Sequence, residues 1–389
     1  MPTALPPDPR FDRVELDRLR RRRTVKWSLY GPDVLAAWVA EMDFDVAAPV
    51  RAALHEAVDR DDLGYAEADL GELTRACSAH LAALHDWEVP PSRLFPVADV
   101  LSGVAGALDL TVPAGAPVVV PTPTYPPLLE IVEGSGRPAV QVPMADAARA
   151  ALDLDRIDAA LTAGARAVLL CSPHNPTGRV FERVELEGLA AVVERHGARV
   201  VADEVHSPLV LPGRRHVPYA SLAGAADHTV TVVSASKAWN LAGLRCAQVV
   251  TSNHDDAAAW RRLPVFAVPG PTPLGIAASV AAYSAAEDWR AALVAHLGRN
   301  RELLGELLAA HLPGVRHRPP EGTYLAWLDC AALGLADPAA HFLHHGRVAL
   351  SDGPPFGAGY EQFVRLNFAT SPELLSRIVE QMGQAASAR

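Results

Sequence analysis

The chain has 389 residues, of which 50% are apolar and 21% charged. That is the make-up of an ordinary globular protein long enough for two domains, or for one large domain with a smaller one attached. A formal net charge of -10 argues against broad electrostatic binding of nucleic acid or of an anionic membrane. The start MPTALPPDPR has no apolar stretch typical of a signal peptide, and no run of about 20 residues is apolar enough to span a membrane.

Along the chain, the basic run Arg20–Arg23 comes first, and reads as a solvated helix face or a contact with a partner subunit. The apolar runs Ala116–Val120, Ala167–Leu170, Val200–Ala202 and Val230–Val233 predict buried parallel strands, with helical patterns such as Val184–His196 between them. The fold class is therefore α/β, with a large, mostly parallel sheet. From about residue 281 long helical patterns are followed by short strand-like pieces at Thr323–Leu328 and Phe363–Phe368, which predict a smaller α+β lobe. We place the large domain at 45–280 and the smaller one at 1–44 with 281–389. Cys77, Cys171, Cys246 and Cys330 are scattered and suit a reduced, cytoplasmic protein rather than a disulfide scaffold or zinc site. His341, His344 and His345 have helical spacing without a nearby acidic or thiol ligand, so no metal site is expected there.

Polar groups follow the strand-like runs: Tyr125 after the first, Asn175 after the second, Asp203 and His206 after the third, Ser234, Ser236 and Lys237 after the fourth. In open α/β sheets ligands bind at the carboxyl ends of the strands, so these groups should converge. Lys237 at such an end can be desolvated, which frees its amine for Schiff-base chemistry; read alone it is a surface lysine capping a strand. Asp203 needs a cation, which a protonated pyridine nitrogen or a neighbouring arginine could supply. Ser234, Ser236 and Arg245 can supply donors to a phosphate, with backbone N–H groups from the helix that begins near Val100. Asp99 sits awkwardly there, since a second anion repels a phosphate, and it is read as a helix cap.

The order Asn-Pro-x-Gly, Asp-x-x-His, Ser-x-Ser-Lys with an arginine eight residues on, and a late Arg-Leu-Asn resembles the class I/II aminotransferase superfamily of fold-type I, pyridoxal 5'-phosphate (PLP) enzymes, over nearly the whole chain. Lys26-Trp27, Trp38–Phe44, Gly64-Tyr65, Pro173–Pro176, Asp203–His206, Asn240–Gly243, Glu321–Asp329 and Arg365–Ala369 resemble its cystathionine β-lyase branch. The resemblance implies the aspartate aminotransferase fold and a cofactor held as a Schiff base on Lys237, which then shuttles protons. It also implies that Asp203 pairs with the ring nitrogen, Asn175 with the phenolic oxygen near His206, and Tyr125 with the ring face. Ser234, Ser236, Arg245 and the Asp99–Val100 turn would meet the phosphate, with Tyr65 reaching in from the second subunit of a homodimer. Arg365, with Asn175, would hold the substrate carboxylate. Tyr30, Trp239 and Phe356 are candidates for the substrate pocket.

Ser172, Pro208, Ala98-Asp99-Val100 and Pro126 depart from the branch's usual asparagine, aspartate, glycine-led turn and second aromatic. They bear on the substrate more than on the cofactor. The expected activity is cleavage of cystathionine or another cysteine S-conjugate to thiol, pyruvate and ammonia. Aminotransfer and the cleavage or oxidative deamination of a larger thioether amino acid remain open. A non-catalytic regulator is disfavoured, because some 40 residues before the large domain are too few for a DNA-binding domain and linker.

Overall fold

The computed structural model describes residues 8–145, 150–264 and 266–387. Residues 1–7, part of the start at which no signal peptide is expected, lie outside them. Seven strands form the main sheet: β1 (Leu94–Val97), β2 (Val118–Thr122), β3 (Ala139–Pro143), β4 (Ala167–Cys171), β5 (Arg199–Asp203), β6 (Thr229–Val233) and β7 (Ala247–Thr251). Their order is β1-β7-β6-β5-β4-β2-β3. Only β7 runs against its neighbours; the other pairings are parallel.

Strands β2, β4, β5 and β6 bury both faces, because each face carries helices. On one side Leu186, Leu189 and Val193 pack with Val168, Leu170 and Val200. On the other, Val104 and Leu108 of helix α1 (Val100–Thr111) pack with Val201, Val232 and Val249. Gly103 lets α1 lie close to the sheet, since a Cβ there would stand 2.9 Å from a methyl of Val232. Asp99 caps α1 by accepting a hydrogen bond from Ser102 N at 2.8 Å. The first turn of α1 thereby reaches the sheet edge where β4, β5 and β6 end.

A second, four-stranded antiparallel sheet is built from β8 (Arg316–His317), β9 (Leu325–Asp329), β10 (Ser351–Asp352) and β11 (Phe363–Asn367), in the order β10-β11-β9-β8. The segment Leu35–Ala36 pairs in parallel with Val348–Ala349, so N-terminal residues join this part of the molecule. Helix α2 (Glu287–His311) packs against α3 (Pro372–Ser387) beside that sheet. No helix of the described residues is long and apolar enough to cross a membrane. Within the basic run, Arg22 donates to the carbonyls of Met42, Asp43 and Phe44, so that guanidinium seals backbone instead of facing only water.

Candidate active site

A cavity of about 380 Å³ opens at the carboxyl ends of β4, β5 and β6, within the usual size range for small-molecule sites. It is lined by Lys237, Asp203, Asn175, His206, Tyr125, Ser234, Ser236, Arg245, Asp99 and Val100. Leu101, Cys171, Val205, Ala242, Gly243, Cys246 and the backbone strap at Ala40 complete the wall. Arg365 adjoins it from β11 by donating to Asn175 Oδ1 at 3.0 Å.

Burial sets the proton affinities. Desolvation pulls the Lys237 amine down from 10.5 to about 8; nearby Arg365 lowers it further, while Asp203 and Glu41 pull the other way. Its Nζ donates to Ala40 O at 3.0 Å. Desolvation pushes the Asp203 carboxyl up from 3.8 to about 6, against a hydrogen bond from Val205 N and the attraction of Lys237. Burial also holds His206 well below its ordinary range, so its imidazole is neutral, and its Nδ1 has no hydrogen-bond partner among the described residues. Desolvation lowers the Arg365 guanidinium from its ordinary range to about 10. Arg365 is 4% exposed and forms no ion pair with a carboxylate among the described residues. Its other contacts are Trp38 O at 2.9 Å, Ser351 Oγ at 3.0 Å and the Phe356 ring, 5.0 Å below the guanidinium.

These groups are incomplete on their own. A buried cation without an anion and a buried carboxylate without a salt bridge are costly. A flat ligand with a protonatable ring nitrogen for Asp203, and a carboxylate for Arg365, would meet both needs. Arg365 holds the Asn175 amide by its oxygen, which leaves the amide N–H groups for an oxygen on the ligand. Ser236 Oγ makes no hydrogen bond among the described residues and faces the same cavity. The Ser234 hydroxyl donates to Cys246 O at 2.7 Å and accepts from Ser236 N at 3.0 Å, so it shapes the turn that carries Lys237. The donor set therefore suits the expected pyridoxal phosphate.

The strap from Val39 to Asp43 was legible only as a motif. Asn240 grips Met42 through both its N–H and its carbonyl, and Asn367 Nδ2 donates to Val39 O and Glu41 O. Tyr324 OH donates to the same Ala40 carbonyl as Lys237. Beneath it Lys26 and Asp43 form an ion pair at 2.8 Å with both side chains 1% exposed, and Trp27 Nε1 donates to the same carboxylate oxygen. Ser351 had no sequence signal.

Other candidates lie elsewhere. Tyr30 stands edge-on to Trp38 at 5.9 Å, outside the cavity lining. Trp239 is a core residue: it packs on His80 and Tyr283, and its indole donates to Ala286 O at 3.1 Å. Phe356 is buried beneath Arg365. Tyr65 is fully exposed and lines a separate groove of about 800 Å³ with Gly64, Ile276 and Val280. All four cysteines are free and buried, and His341 Nε2 donates to Ala385 O at 3.0 Å.

The pattern of the aminotransferase class I and II family matches residues 39–382. A cystathionine β-lyase from Corynebacterium glutamicum is 35% identical, over 93% of this chain and 96% of its own. Cystathionine β-lyase PatB from Bacillus subtilis is 33% identical, over 93% of this chain and 95% of its own. A crystal structure from Corynebacterium diphtheriae, assigned as a PLP-dependent β-cystathionase, is 36% identical and superposes with a TM-score of 0.93 over 97% of this chain and 100% of that one.

Proposed function

We propose, from the premise that the chain belongs to the class I and II aminotransferase family and to its cystathionine β-lyase branch, that the protein is a PLP-dependent carbon–sulfur lyase of cysteine thioethers. One observation carries the reading. An amine of lowered proton affinity (Lys237) and a buried carboxylate without a salt bridge (Asp203) share one cavity, and a buried guanidinium without a carboxylate (Arg365) adjoins it.

When bound, PLP supplies an electron sink that stabilises negative charge at the substrate Cα. Lys237 would anchor it covalently. Once displaced by the substrate amine, Lys237 Nζ, held near Ala40 O, would take the Cα proton; a value of about 8 leaves a useful fraction of neutral amine near neutrality. Asp203 would keep a proton on the ring nitrogen, and its desolvated carboxylate gains an opposite charge in doing so. Asn175 would donate to the phenolic oxygen. Tyr125 would lie against the ring. Arg365 would fix the substrate carboxylate, and so the face of Cα presented to Lys237. The Cβ–S bond would then break with its electron pair leaving on sulfur, which takes up a proton to become the thiol; the remaining three-carbon enamine, once released, would tautomerise and add water to give pyruvate and ammonia.

Cystathionine and smaller cysteine S-conjugates are the proposed substrates. A panel of them, assayed for thiol and pyruvate, tests this. Amino transfer to a 2-oxo acid without thiol release would overturn it in favour of an aminotransferase. Tyr65, exposed and remote from its own chain's cavity, supports a homodimer in which it serves the neighbouring cavity. A monomer in sedimentation that retains its cofactor would contradict that arrangement.

A further inference from the structure

Asp99 stands among groups that attract anions: the first turn of α1, Ser236 and Arg245 all line the same cavity. Both of its oxygens are occupied. Oδ1 accepts from Ser102 N at 2.8 Å and Oδ2 from Arg245 Nη2 at 2.6 Å. These donors, one from the first turn of a helix and one arm of a guanidinium, are of the kind a phosphate takes. The Arg245 backbone is in the left-handed region, with φ 54 and ψ 77. Its carbonyl accepts from Thr272 N at 3.2 Å, so the root of the side chain is fixed while the guanidinium can swing. The two side chains are 57% and 32% exposed for Arg245 and Asp99; a pair so wet can be exchanged for another at little cost.

We propose that Asp99 is a resident counter-ion of Arg245 that competes with the cofactor phosphate, so that the enzyme holds PLP more loosely than the same site without this carboxylate and exchanges it with the free pool. The proposal rests on the functional reading above. The like charge of Asp99 also opposes the phosphate directly, but competition makes a sharper claim: the effect runs through Arg245.

The test is the dissociation constant of the cofactor-free protein for PLP, measured by fluorescence titration. The variants are Asp99→Asn, Asp99→Ser, Arg245→Gln and the double variant Asp99→Asn with Arg245→Gln. Asn and Ser cap helices about as well as Asp, so these changes remove the charge and keep the cap. Asp99→Asn should tighten PLP binding up to about fivefold, the most that so exposed an ion pair is worth. In the Arg245→Gln background the same change should gain less than about threefold, the non-additivity expected of two residues in contact. Inorganic phosphate should compete with PLP more strongly in Asp99→Asn than in the wild type. Unchanged or weaker PLP binding by Asp99→Asn would overturn the proposal, as would a full gain without Arg245. Should Asp99→Asn fail to fold, Asp99→Ser decides by the same criteria. A wild-type protein that binds no PLP would instead overturn the functional reading, and this proposal with it.

Discussion

Replacing Asp203 by Asn should make the cofactor-free protein more stable and the enzyme nearly inactive. In the folded chain the Asp203 carboxyl rises from 3.8 to about 6, chiefly through desolvation. The folded state therefore binds this proton more tightly than the unfolded state. Above about pH 6 the ionised group costs the fold about 3 kcal/mol; the cost shrinks as pH falls from 6 and vanishes below 3.8. Asn carries no charge, and its amide oxygen can accept the hydrogen bond that Val205 N now gives to Asp203 Oδ1 at 3.1 Å. Denaturant melts of the cofactor-free proteins should show the variant ahead by up to about 3 kcal/mol at pH 7.5 and level with the wild type near pH 4. With PLP bound the order should reverse, because only the carboxylate gains a ring cation. Turnover should fall at least about a hundredfold. A cofactor-free variant less stable than the wild type at pH 7.5, or turnover within about threefold of it, would refute the assignment of Asp203 as a carboxylate kept for a ligand.

Lys237 should condense with PLP as the neutral amine, so the rate, followed by absorbance, should rise with pH about a midpoint near 8; a midpoint near 10.5 would contradict the desolvation described. Arg365→Lys keeps the charge but loses the fork that spans Asn175, Trp38 and Ser351. Its kcat/KM should fall about tenfold to a hundredfold, mostly through KM, and an unchanged KM would place the substrate carboxylate elsewhere. Lys26→Met leaves Asp43 buried without its cation and should cost about 3–5 kcal/mol in thermal or denaturant melts, with most of the loss recovered by adding Asp43→Leu. A single variant as stable as the wild type would dismiss the ion pair as the support of the strap.

The sheet was legible because strands buried on both faces leave unbroken apolar runs, and those runs end where ligands bind. The boundaries slipped where punctuation misled. Pro121 reads as a stop, yet β2 continues to Thr122. Its ladder with β4 reaches only Val118 and Val119, so the missing N–H of Pro121 faces no β4 partner. Within the site, Asp203, Asn175 and Lys237 were visible because side-chain chemistry is written in residue types. The Ala40 carbonyl was not, since any residue can supply one; only the contacts of Asn240, Asn367, Tyr324 and Lys26 reveal what the Trp38–Phe44 motif supports. Trp239 lies two residues from Lys237, but the turn sends its ring into the core, a direction that nearness in sequence does not encode.

The most direct test of the central claim is the product balance with cystathionine when no 2-oxo acid is added. The PLP-loaded wild type should give one pyruvate and one ammonia for each thiol released, and Lys237→Ala should give neither. Thiol release surviving in Lys237→Ala, or no pyruvate unless an amino acceptor is supplied, would contradict it.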